Sequence, residues 1–227
     1  MNATNNIANY LYVTGTRAIF VASTAVLTLM LTACALPSAP PRATVYDFGP
    51  GALITQPTSR MAPLPPLALA EVEASAALDS TAVLYRLAYT DALVLRPYAQ
   101  ARWSMAPAQL VRQRVREHLS LRRAVLNPGE SASAGASPTS PTSPTALRLE
   151  LEEFSQLFES TTASTGLIRL RATVLQAGGT GEKLVGQKTF IVQSPAPSAD
   201  AAGGVRALTA ATDAAVLELD QWLQQLR

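Results

Sequence analysis

Two long runs in the second half of the chain alternate between apolar and polar side chains, and a period of two is the pattern of a half-buried strand. Leu147, Leu149 and Leu151 alternate with Arg148 and Glu150, and Ile168, Leu170, Ala172 and Val174 alternate with Arg169, Arg171 and Thr173. In the first run the apolar parity then shifts to Phe154 and Phe158. A one-residue shift predicts a β-bulge near Glu152-Glu153, since alternation otherwise keeps one face. Gly178-Gly179-Thr180-Gly181 reads as a turn, with Lys183–Val192 as the hairpin partner of the second run. Upstream, Leu67, Leu69, Glu71 and Glu73 alternate with Ala68, Ala70 and Val72, a strand whose inward face the pattern leaves open. Thr81–Tyr89 is a β-rich run, and Ala92–Leu95 is expected to return antiparallel across Tyr89-Thr90-Asp91. Arg96-Pro97-Tyr98 is expected to end that strand, with Tyr98–Trp103 leading into a helix. Tyr46-Asp47-Phe48-Gly49 is expected as a first short strand, broken by Gly49-Pro50-Gly51.

Two segments follow the helical period instead. Val111, Val115 and Leu119 form an i, i+4, i+8 stripe with Leu110 beside it, and Pro107 falls in the first turn, where its missing N–H is harmless. The other faces carry Arg112, Arg114, Arg116, Arg122 and Arg123. A solvated helix face with Glu117 giving local relief accounts for them better than a nucleic-acid or headgroup patch. The second helix places Leu208, Ala211, Ala215, Leu219, Trp222 and Leu226 on one stripe. Its small residues let the helix pack close to a sheet, and Trp222 reads as a core plug. Between the two lies GESASAGASPTSPTSPT, residues 129–145, a low-complexity segment that cannot bury enough apolar area to offset its conformational entropy. The fold class expected is α/β (α+β): a mostly antiparallel sheet of about five to seven strands packed by two main helices, about 106–124 and 201–226. Residues 44–227 are expected to form a single domain with a disordered insertion at 129–145.

Composition narrows the chemistry. Hydrophobic residues make up 48% of the 227, enough for a core, but aromatics are only 6% and charged residues 15%, so hydroxyls supply much of the surface polarity. The formal net charge of +2 gives no electrostatic reason to expect nucleic acid. One cysteine, Cys34, excludes an internal disulfide or a Cys-based metal site. One histidine, His118, excludes a His-rich zinc site and leaves any His-based triad a single choice. His118 lies beside the stripe of the first helix with no evident partner, and reads as a half-buried packing residue. The glycines at 178–181 are no phosphate loop, because their flanks are strands and no Lys-Ser/Thr pair follows.

The N-terminus carries the most specific signal. From Ala18 to Ala33 there is no charge, and Arg17 is the only charge before that run. The run is too short for a comfortable span, which needs about 20 apolar residues, and suits the core of a secretory signal peptide. Ser23, Thr24, Thr28 and Thr32 interrupt it, Pro37, Pro40 and Pro41 stop it, and no basic stop-transfer cluster flanks it. Leu31-Thr32-Ala33-Cys34 resembles the bacterial lipobox, in which a branched apolar residue and two small ones precede an invariant cysteine. Thr32 and Ala33 are small enough for the backbone to enter a peptidase cleft, and the Cys34 sulfur is the nucleophile that takes a diacylglycerol. The alternative is a conventional signal peptide cut at Ala33-Cys34-Ala35, with an incidental cysteine. The lipobox resemblance implies cleavage after residue 33, an N-acylated and diacylglyceryl-modified Cys34, a tether over 34–43, and outer-membrane sorting because Ala35, and not Asp, follows the cysteine. At about 0.8 kcal/mol per buried methylene, two chains or more anchor stably.

Taken in order, the pieces resemble the ABC-type transport auxiliary lipoprotein family, the lipoproteins that accompany MCE-type (Mla-type) lipid transporters. The residues that carry this are Cys34, Tyr46-Asp47-Phe48, Tyr85-Arg86, Tyr98, Arg102-Trp103 and Pro107, then Leu149-x-Leu151-x-x-Phe154-x-Gln156-x-Phe158 and Trp222-Leu223. They are packing patterns and hold no catalytic signature, and the Pro-Thr-Ser insertion is longer than the pattern needs. The resemblance implies a lipid-anchored α/β domain on the periplasmic face of the outer membrane. Its implied partners are an MCE substrate-binding protein, its ABC permease/ATPase complex and outer-membrane lipid; the oligomeric state is left open, a homo-oligomer matching an MCE assembly being one option. The implied cargo is phospholipid or another hydrophobic molecule. Tyr85, Arg86, Arg102 and Trp103 are candidate contact or pocket residues, with strand-to-helix packing and surface ion pairs as the equal alternative. Besides such a non-enzymatic adaptor, two other readings are open: an accessory lipoprotein of a barrel-assembly or lipopolysaccharide-export machine, and a periplasmic enzyme. The enzyme is disfavoured because no G-x-S-x-G elbow, metal cluster or telling carboxylate pair is present, so no catalytic residue, metal or dissociable cofactor is expected.

Overall fold

A computed structural model describes residues 42–51, 64–128, 130, 145–178 and 181–226. Cys34 and the lipobox residues Leu31, Thr32 and Ala33 lie outside the described residues, as does most of the insertion at 129–145. One compact unit spans Arg42–Arg227. Its strands are β1 (Thr44–Tyr46), β2 (Leu67–Ala74), β3 (Ala82–Leu87), β4 (Ala92–Trp103), β5 (Val125–Leu126), β6 (Thr145–Phe158), β7 (Ser164–Gly178) and β8 (Gly181–Pro195). The helices are α1 (Ala88–Asp91, a single turn), α2 (Pro107–Leu119) and α3 (Ala201–Gln225).

The sheet has 8 strands and is built on β6. Along one edge β6 pairs antiparallel with β7 over its whole length, and β7 pairs antiparallel with β8. The other edge of β6 is shared by two parallel neighbours, β2 along its first half and β3 at its end, where Tyr85 faces Gln156. Beyond β2 lies β5, parallel; beyond β3 lie β4, antiparallel, and then β1, parallel to β4. The sheet is therefore mixed, and the expectation of a mostly antiparallel sheet of five to seven strands is corrected. Alternation reports which face is buried and carries no information on the direction of a neighbour set by a distant segment.

The bulge expected at Glu152-Glu153 is present, as a register shift between Leu151 and Glu153. It keeps Leu147, Leu149, Leu151, Phe154 and Phe158 on one face despite the change of parity. Both long helices cover that face: α3 lies on β6, β7 and β8, α2 lies on β2, and the helices touch each other. Leu208, Ala211, Ala215 and Leu219 of α3 and Val111, Val115 and Leu119 of α2 are all buried in the one core. The opposite face of the sheet is polar, with Arg171 bridging Glu150 at 3.3 Å and Glu152, and Arg148 meeting Glu182 at 2.7 Å.

Four element boundaries differ from expectation, each for a local reason. The first strand is Thr44–Tyr46, because Asp47 turns back to accept the Gly49 N–H at 2.7 Å. The Tyr89-Thr90-Asp91 turn is wound into α1. Pro97 does not end β4, which runs to Trp103; it sits opposite Leu84, where the register slips before Ala82 meets Arg102. A proline is tolerated at such an irregularity because the ladder there lacks a regular donor position. Finally, α2 stops at Leu119 and not near 124: the next turn tightens to i→i−3 bonds, Leu121 donating to the His118 carbonyl and Arg122 to the Leu119 carbonyl, both at 3.3 Å, before β5 begins.

Candidate functional site

Two hollows of the domain meet at Phe48, just after the edge strand β1. On one side is a cavity of about 240 Å³ lined by Phe48, Ser104, Met105, Leu110, Arg114 and Glu117. On the other is an open groove of about 460 Å³ between the β1 segment and α3, lined by Tyr46, Phe48, Val205, Thr209, Ala210 and Asp213 among others. The Phe48 ring forms a wall of both. It packs edge-on against Trp103, with centroids 5.6 Å apart, and Trp103 packs on Phe154 at the same distance. Arg114 of α2 fixes this strap: its guanidinium lies 5.7 Å over the Phe48 ring and donates to the Phe48 carbonyl at 2.6 Å. The same guanidinium reaches Asp213 of α3 at 3.4 Å. Burial raises the Asp213 carboxyl above its ordinary value, against the lowering pull of Arg114.

A second cluster lies under the start of α3. Tyr85 and Tyr98 stack with ring centroids 4.6 Å apart, and Phe158 meets Tyr85 edge-on at 6.0 Å. The Tyr98 hydroxyl donates to the Gln156 side-chain oxygen at 2.7 Å, and the Gln156 amide donates to the Ser164 hydroxyl at 2.7 Å. Gln156 is fully buried, so both ends of its side chain need these partners. Burial raises the Tyr98 phenol well above its ordinary value, with the Tyr85 and Asp200 charges adding to the effect. Asp200 caps α3 by accepting the Gly203 N–H at 2.7 Å, and this bond, followed by the Ser198 hydroxyl, lowers its carboxyl below the usual range.

The four residues singled out from the sequence do not form one site. Tyr85 stands opposite Arg96 and Ala82 opposite Arg102, so the Tyr85-Arg86 and Arg102-Trp103 pairs fall at different ends of the β3–β4 ladder. Tyr85 belongs to the tyrosine cluster. Arg86 pairs with Glu153 at 3.0 Å and donates to the carbonyls of Ala92 and Leu93. Arg102 donates to the carbonyls of Tyr98 and Ala101, bracing the irregular stretch of β4. Trp103 is 2% exposed, a core residue beside the Phe48 strap.

The helix arginines are neither a free patch nor simply solvated. Arg112 reaches Glu71 at 3.0 Å and the Ala70 carbonyl, Arg116 reaches the Val125 carbonyl at 2.9 Å, and Arg122 and Arg123 reach Gln224 and Asp220 of α3. They tie α2 to its neighbours. His118, partnerless in the sequence, lies 3.8 Å from Asp220, which Arg123 also engages at 3.1 Å. That separation is an ion-pair distance and too long for a hydrogen bond. Thr209, in the groove, donates its hydroxyl to the Val205 carbonyl at 2.9 Å. Among the described residues no group of three or more His, Cys, Asp or Glu could hold a metal ion. The arrangement offers shape and contact.

Gln156 stood in the sequence pattern between Phe154 and Phe158 without a role, and its polar side chain on the buried parity of β6 was the signal for the cluster. The Arg114–Phe48 strap left no such signal, because its partners are brought together only by the fold.

Comparison with known proteins supplies what geometry alone does not. No curated protein matches the sequence. A protein of Xanthomonas campestris from a family described only as DUF330 has the same fold, with a TM-score of 0.61 at 20% identity over 81% of this chain and 96% of its own. A further solved structure, of an uncharacterised protein, superposes with a TM-score of 0.56 at 11% identity over 81% of this chain and 99% of its own. Among the described residues, no helix is long and apolar enough to cross a membrane. The family model for the ABC-type transport auxiliary lipoprotein component matches residues 46–219, from the Phe48 strap through the buried stripe of α3. The chain therefore belongs to the ABC-type transport auxiliary lipoprotein component family.

Proposed function

We propose that this protein is a non-enzymatic adaptor lipoprotein, anchored by acylated Cys34 in the outer membrane, that serves an MCE-type lipid transport system from the periplasmic side. The observation that carries this reading is the family match over residues 46–219, preceded in the same chain by Leu31-Thr32-Ala33-Cys34. The family is a component of ABC-type transport, so the expected partners are an ABC permease/ATPase complex and its MCE substrate-binding protein. The contact character of the Phe48 groove and the tyrosine cluster supports a docking role over a catalytic one. The anchor is tested by metabolic labelling with palmitate: Cys34→Ser should abolish incorporation, and unchanged labelling would sink the lipoprotein assignment. The partner is tested by affinity purification of the acylated protein from membranes. Recovery of an MCE protein supports the reading, whereas recovery of a barrel-assembly or lipopolysaccharide-export component would replace it.

A further inference from the structure

The turn that joins β3 to β4 carries its apolar side chains on the outside. Leu93 is 89% exposed, Tyr89 47% and Val94 39%, and none of the three belongs to the core. The turn is nonetheless braced. Asp91 accepts the Leu93 N–H at 2.9 Å, and Arg86, held by Glu153, donates to the Ala92 and Leu93 carbonyls at 3.2 and 3.3 Å. Arg96, two residues beyond Val94 and on the same face of β4, is exposed, and its guanidinium makes no hydrogen bond or ion pair among the described residues. A fixed apolar tip, flanked by a tyrosine and followed by an unpaired cation, has the make-up of a membrane-interface contact.

The direction of β1 bears on the reach between this turn and an anchor at Cys34. Because β1 is parallel to β4, with Thr44 beside Ala101 and Tyr46 beside Trp103, the chain comes into Thr44 from the side on which β4 begins. From Ala101 back to Ala92, β4 covers about 30 Å at ~3.3 Å per residue. The stretch from Cys34 to Thr44 can extend to about 33 Å. A chain held at Cys34 is thus long enough for the turn to rest on the same bilayer, with little to spare.

We infer that the β3–β4 turn is a second membrane contact, in which Tyr89, Leu93 and Val94 enter the lipid interface and Arg96 meets a lipid phosphate in the leaflet that holds Cys34. This inference rests on the acylated-Cys34 reading. Arg86 acts here as a positioning residue that holds the tip in shape. The acids at this end are Asp91, already bonded to the Leu93 N–H, Glu153, paired with Arg86, and Glu159, exposed on the β6–β7 turn. With acids at the same end as Arg96 and Arg86, the contact is mainly apolar and only weakly salt-dependent.

The test uses the full-length protein in phosphatidylethanolamine–phosphatidylglycerol vesicles whose acyl chains carry bromine, a short-range quencher of indole fluorescence. Leu93→Trp places an indole at the tip, and Leu217→Trp places one at an exposed site on α3, 51% accessible. After subtraction of the parent's emission from the buried Trp103 and Trp222, the signal added by Leu93→Trp should fall about twofold against unbrominated vesicles, as expected of an aromatic seated at the interface, while that added by Leu217→Trp should not change. Palmitate labelling of the same samples separates the two readings. A labelled protein whose Leu93→Trp is quenched no more than Leu217→Trp overturns the tip and leaves the anchor standing. An unlabelled protein removes the anchor, and quenching at position 93 then reads the tip alone, for or against. Absence of quenching together with loss of a co-purifying protein in Leu93→Asp would make the turn a protein-docking surface and also overturn the inference.

Discussion

At the scale of single residues, the described part of the molecule is organised by polar side chains placed where the apolar pattern would put hydrophobes. Gln156 is the clearest of them. It lies on the buried parity of β6, and its oxygen and amide are satisfied by Tyr98 and Ser164. Tyr98→Phe keeps the ring stacked on Tyr85 and removes only the hydroxyl, leaving the Gln156 oxygen buried without a donor. A cost of about 1–3 kcal/mol is expected, read by urea denaturation. The same substitution tests the raised phenol of Tyr98. Its native state holds a proton that the unfolded chain gives up near pH ~10, so stability falls as pH rises past that point. Tyr98→Phe should flatten the alkaline decline, and an unchanged slope would show that other groups cause it.

At the scale of elements, the close seat of α3 on the sheet decides the fold. Gly166 of β7 lies so near the helix that a Cβ there would come within 2.5 Å of the Ala207 carbonyl carbon and the Leu208 nitrogen. Backbone cannot yield as a side-chain end can. Gly166→Ala should therefore cost about 1–3 kcal/mol by forcing α3 off the sheet, observable as a lowered denaturation midpoint. A Cβ at Gly204 would clash with the Gln156 side-chain oxygen, so the usual gain of about 1 kcal/mol for alanine over glycine in a helix is not available there either. The start of α3 depends on Asp200. Asp200→Ala should cost about 1 kcal/mol through the lost cap, and Asp200→Asn much less at neutral pH. Because the Asp200 carboxyl is lowered in the folded state, its contribution is present above about pH 4 and is lost as pH falls through the folded value. Only the charged cap titrates, so acid denaturation should separate Asp200→Asn from the parent.

At the scale of the whole molecule, β6 joins two groups of strands along one edge, β2 and β5 against its first half and β3, β4 and β1 against its end, while its other edge carries β7 and β8. Trp103 of the β4 side and Trp222 of α3 lie in the same buried cluster. Trp103→Phe and Trp222→Phe, each leaving one indole as reporter, should show transitions that coincide with each other and with loss of secondary structure. Separate midpoints would mean that the halves unfold independently. The strands β6 and β7, the bulge, the hairpin at Gly178–Gly181 and the two long helices were legible from the sequence, because period and parity report local geometry and burial. The mixed direction of the sheet was not legible, since parallel neighbours such as β2 and β6 are matched by long-range connection and leave no local trace. Nor was the role of the arginines of α2, whose partners are carbonyls and side chains distant in the chain. Tyr85, Arg86, Arg102 and Trp103 stand out in sequence as aromatic and cationic pairs, and the fold separates them into a stacked cluster, a hairpin clamp, a strand brace and a core ring. Sequence by itself determined most of the segments that form elements, the apolar side of β6, β7 and the two long helices, and that Cys34 sits in a lipobox-like setting. Only the tertiary structure decided strand direction, the partner of each charge, and the outward turn at Leu93, because these depend on which distant segments meet, and side-chain periodicity cannot encode that.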